Sequence, residues 1–86
     1  MYAITYKKSV EKDLRKISKP QLKIVVQAIQ QLAHNPKPIA STSLKGFSNV
    51  YRLRVGDYRI VYEINKGELA VLIVRVAHRR EVYKNL

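Results

Sequence analysis

The sequence predicts an α+β domain in which two N-terminal helices pack on one face of a small antiparallel sheet, in the order β-α-α-β-β-β. Three observations carry this. Apolar residues recur at helical spacing through the first half of the chain, they alternate with polar ones along a central hairpin, and the last strand-like run is almost continuously apolar. At 86 residues the chain makes one domain, residues 1–86. A domain of that size buries only about 60 to 65% of the surface its unfolded chain exposes, so its stability alone is modest.

The first strand is the mixed run Tyr2-Ala3-Ile4-Thr5-Tyr6. Val10, Leu14 and Ile17 then recur at helical spacing with Lys7, Lys8, Glu11, Lys12, Arg15 and Lys16 around them, which predicts an amphipathic helix. Ser18-Lys19-Pro20-Gln21 ends it and starts another: Ser18 can cap, Gln21 stands where a capping-box partner belongs, and Pro20 is tolerated only in a first turn. In this second helix Leu22, Val25, Val26, Ile29, Leu32 and Ala33 trace one face, against Lys23, Gln27, Gln30 and Gln31. It stops near His34-Asn35-Pro36-Lys37-Pro38, where the prolines forbid continuation. Residues 35–48 are a connection, with Leu44 and Phe47 expected to pin it to the core.

Tyr51 to Val55 and Tyr58 to Tyr62 are alternating runs around Gly56-Asp57, a two-residue hairpin turn. That turn sets Val55 opposite Tyr58, Arg54 opposite Arg59 and Leu53 opposite Ile60. A second turn at residues 64–68 leads into Leu69-Ala70-Val71-Leu72-Ile73-Val74-Arg75-Val76, a strand covered on both faces along much of its length. The expected core is Ile4, Val10, Leu14, Ile17, Leu22, Val25, Val26, Ile29, Leu32, Leu53, Val55, Ile60, Tyr62, Val71 and Ile73. Strand side chains alternate, so Arg52, Arg54 and Arg59 face away from the helices and line a basic, partly open surface. Tyr51, Tyr58 and Tyr62 fall on the opposite face.

Arg54 and Arg59 directly cross-strand destabilise a sheet by about a few tenths of a kcal/mol or more, and binding of a polyanion offsets that. Composition agrees: 17 Lys+Arg against 6 Asp+Glu give a net charge of +11 and an isoelectric point near 10.2, the footprint of a nucleic-acid binder. Several classes fall away. There is no cysteine, hence no disulfide framework, thiolate metal site or cysteine nucleophile. No run of about 18 apolar residues is present for a spanning helix, and the apolar stripe of each helix is needed for the core, so no membrane partner is expected. Met1 leads straight into strand-like sequence without a secretory pattern, which makes a cytoplasmic protein the expectation. His34 and His78 lie far apart without ligand-spaced carboxylates, and 3 glycines make no phosphate loop. No metal or other cofactor is expected.

Arginines hold phosphate through charge-assisted, often bidentate hydrogen bonds. RNA cleavage needs little more, because the substrate supplies its own nucleophile, the 2′-hydroxyl, and the protein contributes orientation and charge stabilisation. Guanidinium is a poor proton shuttle at neutral pH. His78 and Tyr83 are the candidate supplements, one as acid or base and one as hydroxyl donor or stacking ring. Both follow the last strand and reach the arginine face if that strand pairs beside the hairpin. The plainer alternatives are a polar turn residue for His78 and a packing anchor for Tyr83. Lys7, Lys8, Lys12, Arg15 and Lys16 make a solvated helix face that adds long-range steering.

The stretches Leu44-Lys45-Gly46, Tyr51-Arg52-Leu53-Arg54, Gly56-Asp57-Tyr58-Arg59-Ile60-Val61-Tyr62 and Arg75-Val76-Ala77-His78-Arg79-Arg80-Glu81-Val82-Tyr83 resemble, in order and spacing, the RelE family of toxins in the RelE/ParE toxin–antitoxin superfamily. The resemblance spans essentially the whole chain and includes size, element order and basic charge. It implies a ribosome-dependent endoribonuclease that cuts mRNA in the A site of the 70S ribosome and inhibits translation, held inactive by a cognate antitoxin protein wrapped around it. Arg59 matches the family arginine that stabilises charge on the scissile phosphate. Arg52 and Arg54 match basic positions that orient the phosphate and help activate the 2′-hydroxyl. Arg79 matches the arginine near the leaving group, with Arg80 beside it as an RNA contact, and Tyr83 matches a tyrosine that orients or stacks on substrate. His78 is histidine in many relatives and lysine in others. Where relatives have lysine, Arg52 and Arg54 weaken any general-base role, because arginine is much harder to deprotonate. ParE-like toxins of the same superfamily act on DNA gyrase and generally lack this complete basic and tyrosine set, so Arg54, Arg79 and Tyr83 together favour the ribonuclease. A non-catalytic RNA-binding module is the third reading.

Overall fold

The computed structural model describes residues 1–78, so Arg79, Arg80 and Tyr83 lie outside the described residues. The elements are β1 (Ala3–Tyr6), α1 (Lys8–Arg15), α2 (Lys19–Gln31), β2 (Ser41–Ser43), β3 (Val50–Val55), β4 (Tyr58–Asn65) and β5 (Ala70–His78). Among the described residues they form one sheet of order β1-β5-β4-β3-β2. The α+β class and the helix pair follow the expectation. The sheet, however, is mixed: β1 runs parallel to β5, with Ala3 opposite Ala70 and Tyr6 opposite Ile73. The β3-β4-β5 meander leaves one edge of β5 open, and β1 covers part of it through bonds such as Ala3 N–H to the Leu69 carbonyl at 2.8 Å and Lys7 N–H to the Ile73 carbonyl at 2.9 Å.

The connection after α2 is not structureless. Ser41–Ser43 pairs with β3 as an edge strand, a polar segment with no apolar alternation to announce it. Leu44 does pack against buried residues, whereas Phe47 is 52% exposed and pins nothing. What anchors the loop is Tyr62, fully buried, whose hydroxyl donates to the Pro36 carbonyl at 2.7 Å.

At only eight residues α1 is short, and a helix of that length depends on tertiary packing rather than on intrinsic propensity. It lies along β5, while α2 lies against β3. Ser18 takes the N-cap position of α2 with extended backbone, yet its side chain makes no cap bond, so the expected capping box is not formed. Pro20 in the first turn needs no donor there. Val10, Ile17, Val25, Ile29 and Leu32 meet Leu53, Ile60, Tyr62, Ile64, Val71, Ile73 and Val76 in the main core. Ile4, Leu14, Leu22 and Val55 pack against it half-buried, and Val26 stays outside the cluster. Removing from water even one such aliphatic side chain contributes about 1.5–3 kcal/mol. A second, smaller cluster sits on the face away from the helices: Val61 and Ala77, with Leu44, Val50 and Val74 against them.

Candidate nucleic-acid interface

The hairpin register matches the reading from sequence residue for residue: Val55 pairs with Tyr58, Arg54 with Arg59, Leu53 with Ile60. Gly56 has a φ of +59° at the first turn position, where a tight hairpin turn favours glycine. Tyr51 and Tyr62 stack at 6.0 Å on the helix side, with the Lys37 ammonium 5.3 Å from the Tyr51 ring centre. The arginines alternate with these tyrosines and take the other face.

That face is not uniformly open. Arg54 is exposed, Arg52 is half-buried, and Arg59 is only 8% exposed. The Arg59 guanidinium donates from Nη1 to the Tyr58 carbonyl at 2.9 Å and the Gly56 carbonyl at 3.2 Å. A buried guanidinium held by carbonyls of its own turn is preorganised: it presents positive charge with little rotamer freedom left to lose. Arg54, by contrast, keeps its freedom and can close on a ligand.

One irregularity in β5 redraws the interface. Tyr62 pairs with Ile73 but Val61 pairs with Arg75, so Val74 is an extra residue, a β-bulge. Every side chain beyond it changes face. Val76 enters the main core. Arg75 joins the arginine face in the row Arg52, Val61, Arg75, one row from Arg54 and Arg59. His78 moves the other way. It stands opposite Tyr58 on the helix side, its ring edge-on to the tyrosine at 5.8 Å and 79°. The structure therefore brings Arg52, Arg54 and Arg59 together, adds Arg75, and sets His78 on the opposite face of the sheet. Arg75 was legible as the single charge inside an apolar strand, although alternation alone assigns it to the wrong side.

The structure also supplies a reason for the end of β5 to hold its place. Beyond Ile73 there is no β1 residue to pair with, and Asp13 of α1 accepts the Val76 N–H through Oδ2 at 3.0 Å. Among the described residues no group of three or more metal-ligating side chains occurs. No helix among them is long and apolar enough to cross a membrane.

Residues 4–83 match the family model of the ParE toxin of type II toxin–antitoxin systems, parDE. The putative toxin RelE1 of Methanocaldococcus jannaschii is 33% identical over 81 residues, covering 91% of this chain and 90% of its own. Toxin RelE3 of the same organism is 31% identical over 84 residues, covering 93% of each chain. Among solved structures, the archaeal RelE–RelB complex from Pyrococcus horikoshii superposes with a TM-score of 0.81 at 26% identity, covering 91% of this chain and 94% of the matched one.

Proposed function

The chain belongs to the ParE toxin family of type II toxin–antitoxin systems and is a toxin of the RelE type; from that premise we propose that it is a ribosome-dependent endoribonuclease that cleaves mRNA in the A site. The observation that carries this reading is the opposed pair Arg54 and Arg59, with Arg59 buried and anchored and Arg54 exposed beside it. In the proposed reaction the substrate's 2′-oxygen forms a bond to the adjacent phosphorus as the bond from phosphorus to the 5′-oxygen breaks. The 2′-hydroxyl loses its proton and the 5′-oxygen gains one. Negative charge grows on the non-bridging oxygens, where Arg59 stabilises it, while Arg52 and Arg54 orient the phosphate.

No guanidinium is suited to taking the proton, so the chain supplies orientation and charge while the ribosome supplies substrate geometry. Arg79 near the leaving group, Arg80 as an RNA contact and Tyr83 stacking on substrate complete the proposal. A RelB-like antitoxin, of the kind bound in the Pyrococcus horikoshii complex, silences the toxin by covering its basic surface.

The test is induced expression followed by primer extension. New mRNA 5′ ends are expected within translated codons, and Arg59→Ala should cut cleavage by about 10²–10³-fold, as for loss of one transition-state donor. Growth arrest with intact mRNA would refute the reading. The ParE description of the matching family favours one alternative, action on DNA gyrase, for which the same cells would show gyrase-linked DNA breaks and a damage response.

A further inference from the structure

A cleft of about 250 Å³ opens at the edge of β5 beyond the end of β1, lined by Asp13, Lys16, Tyr58, Arg75 and His78. It lies around the sheet edge from the arginine face, and Arg75 belongs to both: its register pairs it with Val61 on that face, and it also lines the cleft. We infer that this cleft is a subsite for a single nucleotide flanking the scissile phosphate of a single-stranded RNA that crosses the β5 edge. The inference rests on the ribonuclease reading and deepens it.

The chemistry fits a nucleotide on three counts. Among the described residues that line it, Lys16 and Arg75 bring two positive charges against the single carboxylate of Asp13, which also accepts the Val76 N–H, so this lining is net cationic and favours a phosphate. Tyr58 and His78, fixed edge-to-face at 5.8 Å, supply ring surface against which a base packs. The cleft is smaller than the about 300–1,000 Å³ of pockets for drug-sized ligands, which suits one nucleotide and excludes a longer buried segment. The spacing between strands matters as well: Arg52 and Arg75 stand two strands apart, about 9–10 Å, so an RNA strand laid across this row passes from the arginine face to the cleft. The bulge at Val74 makes this possible by turning Arg75 outward and His78 toward α1.

The experiment compares the full-length protein's affinity for non-cleavable 2′-O-methyl trinucleotides and pentanucleotides at low salt. The pentamer should bind about tenfold more tightly, the low end of what one base–aromatic stack supplies. Lys16, at the C-cap of α1, is exposed, so Lys16→Glu leaves the core intact. It should reduce that gain to under about twofold, with the trimer, bound at the arginine face, losing less affinity than the pentamer. His78→Ala should do the same. Arg59→Ala should weaken both oligomers alike. If Arg59→Ala weakens both and the pentamer gain survives Lys16→Glu and His78→Ala, the cleft assignment fails alone. If Arg59→Ala leaves both unchanged, the ribonuclease reading fails with it. A pentamer gain that persists in Lys16→Glu while antitoxin affinity drops would give the cleft to the antitoxin and overturn the proposal.

Discussion

Arg54→Gln should make this protein more stable and less active at once. The side chain stands directly opposite Arg59 across β3 and β4. A cross-strand charged pair contributes about 0.2–1 kcal/mol, with the unfavourable sign when the charges are alike. Arg54 is exposed and therefore screened, which places the effect near the lower half of that range, about 0.5 kcal/mol. For a domain of this size each kcal/mol moves Tm by about 4–8 °C, so Arg54→Gln should raise Tm by about 2–4 °C. The change also lowers the overall charge of +11 by one, so Lys12→Gln on the exposed face of α1 serves as the control. The difference between the two variants isolates the pair. Thermal melts followed by circular dichroism at low salt and at about 1 M salt make the measurement decisive, because the screening length falls from about 10 Å at 0.1 M to about 3 Å at 1 M. The gain should shrink toward zero at high salt. RNA binding should weaken, with the slope of log K against log salt reduced by about 0.7 for one lost contact to a single strand. A lower Tm for Arg54→Gln, or a gain unchanged at high salt, would refute the argument that this pair is held against its own repulsion for the sake of a ligand.

Tyr62→Phe removes the donor to the Pro36 carbonyl and should lower stability by about 1–2 kcal/mol in chemical denaturation. Burial raises the Tyr62 pKa above its ordinary 10.0, so the unfolded tyrosine releases its proton first, the native state binds more protons, and stability should fall as pH climbs past that value, less steeply in Tyr62→Phe. Asp13→Ala takes away the acceptor of the Val76 N–H; amide exchange at Val76 should accelerate, with a stability loss of about 1 kcal/mol. Leu69 holds φ +54° while half its side chain is exposed, so Leu69→Asn, which tolerates that conformation, should raise Tm by a few degrees.

What the sequence disclosed and what it withheld divide along local and non-local pairing. A two-residue turn fixes its own register, so Arg54 opposite Arg59 follows from Gly56-Asp57 and the alternation around it. Helix periodicity likewise disclosed Val10, Ile17, Val25, Ile29 and Leu32 as core. The parallel pairing of β1 with β5 joins residues about as far apart as the chain allows, and nothing in Ala3-Ile4-Thr5-Tyr6 specifies which edge it takes or in which direction. Ser41-Thr42-Ser43 becomes a strand because β3 offers an edge; only Thr42 of the three favours a strand, and no apolar alternation marks the segment. Arg79, Arg80 and Tyr83 stay assigned by resemblance, since they lie outside the described residues.

The bulge in β5 shows how a single residue couples the core to the interface. Ile73 and Val76 both belong to the main core, yet they are three positions apart, and strict alternation puts residues three apart on opposite faces. One extra residue between them reconciles the two. Without it Arg75 would stand opposite Ile60 and point at the helices, and taking a guanidinium out of water there costs several kcal/mol, a large share of the about 5–15 kcal/mol that holds a typical domain folded. The sequence around Val74 therefore requires the bulge for stability. The same slip also turns His78 toward Tyr58 and Arg75 toward Arg52, so the arrangement of the cationic surface follows from how this strand keeps its charge out of the core.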